Sequence, residues 1–214
     1  MKNIQTTILL AAFTVSGSAF AQSADPVEIF FDEQFASLDE SVPGKFSINA
    51  RLRYESFDLD SEKSSDDRDG TSLRVRYGYT TPNFSGFTAM VEGETLTRVG
   101  GDHADIHPLD DAGDGTDLNQ AWVQYVDADY GKVKVGRQIY ALDDHRFIGH
   151  VGWRQNIQTF DAATAEFSGI DKLSVKGFYL AEQNTVTATH NELDAVGVNV
   201  SYAFTPEFNL TAFY

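Results

Sequence analysis

The densest run of chemically capable side chains is residues 141–163, ALDDHRFIGHVGWRQNIQTFDAA, with two histidines, two arginines, three aspartates and a tryptophan. A zinc pair on a helix needs histidines four apart on one face; His145 and His150 are five apart, beside Gly149 and Gly152. Nucleophilic catalysis by an Asp–His couple needs a cysteine, or a serine held on a strained turn. The chain has no cysteine, no G-x-S-x-G, and no serine between Gly101 and Phe167. These residues point to no catalytic site, no enzyme and no cofactor. The clusters DDRDG (66–70) and DDAGDGTD (110–117) offer oxygen ligands, but neither follows the spacing of a calcium loop with its closing glutamate. They read as solvated acidic loops, with a surface divalent cation at Asp110, Asp111, Asp114 and Asp117 as the lesser alternative.

What positions these residues is a run of strands. Residues 1–21 read as a secretory signal peptide: Lys2, an apolar stretch from Ile8 to Val15, and a small-x-small cleavage site at Ala19–Ala21. Residues 22–43 form a periplasmic leader in which Ile29, Phe30, Phe35 and Leu38 suit a short amphipathic helix. From residue 44 onward apolar and polar side chains alternate with period two, the signature of strands. Phe46, Ile48, Ala50, Leu52 and Tyr54 oppose Lys45, Ser47, Asn49, Arg51 and Arg53; Leu73, Val75, Tyr77 and Tyr79 oppose Arg74 and Arg76. Nine such strands fall at 45–57, 72–81, 86–98, 118–127, 131–138, 158–167, 172–181, 194–204 and 208–214. Short connections (81–86, 127–131, 168–172, 205–208) take turns with long ones (58–71, 99–117, 139–158, 182–194).

Short turns at one end, long loops at the other and aromatics near the strand ends are the habits of a bacterial outer-membrane β-barrel. A soluble sandwich alternates too, but has no reason to gather Arg51, Arg53, Arg74 and Arg76 on one face. The expected fold is therefore all-β, an antiparallel up-and-down transmembrane barrel. About nine strands of an expected 16–18 are present, because single-chain barrels use even numbers and an open edge in lipid is costly. Residues 44–214 are read as the N-terminal half of a porin-type barrel.

Charge gives that wall a direction. The chain carries a net charge of −16, which argues against a nucleic-acid partner. Loops 58–71 and 99–117 hold twelve acids against Lys63 and Arg68, whereas Arg51, Arg53, Arg74, Arg76, Lys132 and Lys134 fall on inward strand faces. A basic inner wall concentrates anions and slows cations. Alternation puts Arg137 in phase with Val133 and Val135 unless a bulge at Gly136 turns it inward. Loop 139–158 mixes Phe147, Ile148, Val151 and Trp153 with Arg146 and Arg154, too apolar for a loop left in water. It is expected to fold inward and narrow the pore, with Phe147 and Trp153 as anchors. Arg146 and Arg154 would face the passage, and Gly149 and Gly152 would take tight turns.

VKVGRQ followed by LDDHRFIGHVGWRQNIQTFDAA, with LRYESFD and GFTAMVEGE upstream, resembles the alginate export family of outer-membrane porins over about residues 44–214. The resemblance implies a monomeric barrel of about 18 strands, a size within the porin range, with an arginine-rich lumen for an anionic polysaccharide or its relatives. It matches at Gly136, Arg137, Gln138, Arg146, Phe147, Gly152, Trp153, Arg154, Gln155 and Asp161. Taken together, the expected pore-lining set is Arg51, Arg53, Arg74, Arg76, Lys132, Lys134, Arg137, Arg146, Trp153 and Arg154. The expected partners are outer-membrane lipid, lipopolysaccharide and an anionic or polyhydroxylated solute. The alternative is a non-channel, carbohydrate-binding outer-membrane or secreted β-protein.

Overall fold

A computed structural model describes residues 27–36, 43–57, 60–61, 64–65, 68–101 and 114–214. The signal segment, Asp110 and Asp111 lie outside them. All nine expected strands are present: β2 (Lys45–Phe57), β5 (Arg68–Thr80), β6 (Phe87–Gly101), β7 (Gly115–Asp127), β8 (Gly131–Gln138), β9 (Thr159–Ile170), β10 (Leu173–Asn184), β11 (His190–Thr205) and β12 (Phe208–Phe213). They are joined by β1 (Val27–Ala36), where the sequence suggested a helix. Val27–Ala36 pairs antiparallel with Lys45–Tyr54, so the pull of an unpaired sheet edge outweighs the helical spacing of its apolar residues. Two short pieces, β3 (Asp60–Ser61) and β4 (Ser64–Ser65), make a separate ladder between β2 and β5.

The main sheet has ten strands in sequence order, every neighbouring pair antiparallel, with β1 and β12 at its edges. It is an up-and-down meander that does not close on itself. None of the described residues forms a helix long and apolar enough to cross a membrane, which says nothing of crossing by strands. Strands run further into the connections than alternation alone indicated. The fourth long loop, expected over 182–194, shrinks to a turn at 185–189 because Asn184 pairs with His190 across a bulge at Leu180/Glu182.

The two faces differ sharply in chemistry. One face leaves Ile48, Tyr77, Val91, Val123, Val133, Val135, Val196 and Val198 exposed. So continuous an apolar face is costly in water and suited to hydrocarbon. At its short-turn end aromatic rings pair across strands, Phe46 with Tyr79 at 4.9 Å and Phe87 with Tyr125 at 4.8 Å. That placement matches a girdle at a membrane interface. The other face, here the inner face, carries the polar side chains and is covered by loop 139–158.

Candidate functional site

The loop leaves β8 and is held at its base by apolar packing. Tyr140 and Leu142 are buried with Phe160, Ala162 and Leu180 of β9 and β10, and Ile148, Phe178 and Ala195 pack around them. Burial pushes the Tyr140 hydroxyl up to about 12. A polar tie supports this end: Asn199 of β11, almost wholly buried, donates to the Asp143 carboxylate at 2.8 Å. Phe147 meets Phe213 of β12 at 5.1 Å.

The tip reaches along the same face to β2 and β5. Arg51 of β2 donates to the backbone carbonyls of Gly152 (3.3 Å), Trp153 (2.5 Å) and Arg154 (2.9 Å). Arg53 donates to the Trp153 carbonyl as well. In return Gln155 donates to the Ser72 carbonyl and hydroxyl of β5 at 2.9 and 2.8 Å, and to the Arg51 carbonyl at 3.3 Å. The register explains why this wall takes the tip. Arg51 stands directly opposite Arg74, with Asn49 opposite Arg76, and like charges facing one another destabilise a sheet. A row of carbonyl dipoles, the Asn49 side chain on Arg74 and the Glu94 carboxylate on Arg76 offset that repulsion.

The turns of the loop are not where the glycines suggested. Asp143 (φ 52°), His145 (φ 65°) and Val151 (φ 51°) take the left-handed conformation, and neither Gly149 nor Gly152 does. These two glycines are needed for room instead. A Cβ on Gly152 would come within 2.7 Å of the His150 ring, and one on Gly149 within 2.9 Å of the His145 Cβ. Val151 is the strained point, since a β-branched residue with positive φ costs on the order of 1–3 kcal/mol. The His145 and His150 rings meet edge-on at 4.7 Å. Burial, then the neighbouring His145, hold the His150 imidazole below its ordinary range. No group of three or more metal-binding side chains exists among the described residues. Of the acidic candidates, Asp114 accepts a hydrogen bond from the Arg98 amide at 2.5 Å.

The expected pore-lining residues thus fall into separate environments. Arg51, Arg53, Arg74 and Arg154 are buried; Arg53 also pairs with Glu55 at 2.7 Å, and Arg76 pairs with Glu94. Trp153, 54 % exposed, is flanked by the Arg53 and Arg154 guanidinium groups at 5.3 and 4.6 Å from its ring. Arg146 is exposed beside the Phe147 ring at 5.5 Å. Lys132 pairs with Glu166 at 3.2 Å, and the Lys134 ammonium lies 4.4 Å from the Trp122 ring centre.

Arg137 stands apart from the arginine wall. The ladder Ala121–Arg137–Asp161 runs without a register shift, and Arg137 lines a small pocket with Glu94, Asn119 and the loop residues Asn156 and Ile157. Gly136 does have a positive φ of 122°, but it serves close contact: an added Cβ would lie 2.2 Å from the Ala121 carbonyl. Arg137 instead binds Asp161 through two hydrogen bonds, at 2.7 and 2.8 Å, with Glu182 at 3.8 Å. Glu182 in turn meets His190 at 3.0 Å. Of the residues that hold the loop, sequence reasoning missed Ser72 and Asn199, and it gave Gln155 only as a position of the family resemblance, without a role. Each is an ordinary polar residue on a polar strand face or loop, and only the path of the loop gives it a role.

A family model described as alginate export matches residues 42–205. Compared with curated proteins and with solved structures, the chain finds no match in either.

Proposed function

The chain belongs to the alginate export family, a transport rather than an enzyme family, and from that premise we propose that it forms the wall of an outer-membrane channel for anionic or polyhydroxylated solutes. The observation that carries this reading is the loop between β8 and β9, tied at its base to β9–β11 and at its tip to β2 and β5. A segment lying across the inner face divides the space beside the wall and narrows whatever passes. The side chains that meet this space are polar and include more fixed cations than the apolar outer face carries. Solutes pass by diffusion, and a negative charge is favoured by the basic wall rather than by any chemical step. The acidic loops at the opposite end from the aromatic girdle meet the lipopolysaccharide side of the membrane, and a single barrel suffices for the activity.

Planar-bilayer recordings of the full-length protein test the reading. The expected result is discrete conductance with preference for anions, weakened when Arg146 is replaced by glutamine. Absence of channels, or preference for cations, would contradict it.

A further inference from the structure

The return leg of loop 139–158 is tied to a hairpin as well as to the wall. Gln158, its last residue before β9, closes the loop on itself. The Gln158 backbone N–H donates to the His150 carbonyl at 2.9 Å, and its side-chain Nε2 donates to the Gly149 carbonyl at 2.6 Å. Its Oε1 accepts from Gln183 Nε2 of β10 at 2.8 Å. Gln183 Oε1 in turn accepts from Asn191 Nδ2 of β11 at 3.2 Å, and these two residues stand opposite in the ladder. Asn156 adds a separate tie, donating to the Val186 carbonyl in the turn between β10 and β11 at 3.0 Å. The hairpin thus meets the loop through a series of side-chain amides, Asn191 to Gln183 to Gln158.

Such a series has a direction. A side-chain amide carries donors on one arm and an acceptor on the other, whereas a backbone carbonyl only accepts. The Gly149 carbonyl therefore requires Gln158 to present Nε2 to it, which leaves Oε1 for Gln183. Gln183 must then offer its own Nε2, which leaves its Oε1 for Asn191. One carbonyl in the loop fixes all the orientations. Asn191 is the exposed terminus and Gly149 is half-buried, so the relay joins the long-loop end of the sheet to the middle of the loop. A group at position 191 that can only accept opposes this sense. Gln183 has to turn Nε2 towards it, Gln158 follows, and two oxygens are left facing each other at Gly149.

We infer that Gln158 is a positioning residue for the loop, set from the β10–β11 hairpin through Gln183 and Asn191. A change of hydrogen-bonding sense at the exposed Asn191 is passed along the relay to Gly149, just before the seated tip. The consequence for conductance rests on the channel reading; the relay itself does not.

The test compares a substitution that cuts the relay with one that reverses it, in the full-length protein folded in detergent, by deuterium uptake of residues 145–158. Asn191→Ala removes the outer link and leaves the rest oriented by Gly149, so uptake stays as in the wild type. Asn191→Asp, nearly the same size, is expected to speed uptake roughly tenfold, the worth of one hydrogen bond whose partly buried acceptor is left unpaired. In a Gln183→Ala background, where the relay is severed, Asn191→Asp should have no further effect. Unchanged uptake in Asn191→Asp, or an equal effect of Asn191→Ala, would overturn the relay. So would an Asn191→Asp effect that persists with Gln183→Ala, because bare charge would then be its cause. Planar-bilayer conductance of the same variants reads the channel separately: faster uptake with unaltered conductance supports the relay and contradicts the constriction.

Discussion

The two ends of loop 139–158 are held by different physics. Its base sits in an apolar cluster, where Phe160 and Leu180 are each only 3 % exposed. Its tip is held by directional hydrogen bonds from Arg51, Arg53 and Gln155 to backbone and hydroxyl partners. Apolar packing is insensitive to small rotations and fails gradually, whereas a tip held by a few charge-assisted bonds is either seated or released. On the proposed channel reading, the base fixes where the loop begins and the seating of the tip sets the width.

The largest effect should come from the base. Leu180→Ala removes a side chain buried between loop and wall and should cost about 2–5 kcal/mol, read as a lower urea midpoint for loss of the folded electrophoretic form. Loss at the tip should be smaller in stability and larger in function. Arg51→Ala forfeits three carbonyl contacts at about 1.5–3 kcal/mol for charge-assisted bonding. Its expected signature is a wider, noisier single-channel conductance with a smaller drop in urea midpoint than Leu180→Ala. If instead Leu180→Ala opened the channel and Arg51→Ala only lowered stability, the assignment of roles to the two ends would be reversed.

The mildest effect concerns pH. His150 lies two residues before Gly152, and its folded-state pKa is depressed below the ordinary 6.5. Above about pH 6.5 the imidazole is neutral in seated and released loops alike, and seating is unaffected. As pH falls below that value the released loop takes up a proton first, so seating weakens progressively toward the lower, folded-state pKa. Trp153 emission in a Trp122→Phe background should shift over this range, and His150→Gln should remove the shift.

Much of this was legible from period-two alternation. The wall from β2 to β12 followed from side chains that alternate between two faces. Phe147 and Trp153, expected to anchor the loop, remain largely exposed, and Tyr140, Leu142 and Ile148 pack its base instead. Two kinds of fact were not legible. Val27–Ala36 has apolar spacing that suits a helix, and only the open edge of β2 makes it a strand. The partners of the arginines depend on register and on contacts about 100 residues apart in sequence, which no local pattern encodes. Counting Arg51, Arg53, Arg74 and Arg76 as available charge followed from that blindness to partners.

The central claim is that the loop tip lies on the β2–β5 wall. It is tested most directly by measuring distances between spin labels on the cysteine-free chain. One label replaces Trp153, whose hydrogen bonds from Arg51 and Arg53 end on its backbone carbonyl. The second is placed at Val75 of β5 or at Val135 of β8, the strand from which the loop departs. A tip seated on the arginine wall gives a single narrow distance to Val75, shorter than the distance to Val135. A broad distribution to Val75, longer than that to Val135, would contradict the account.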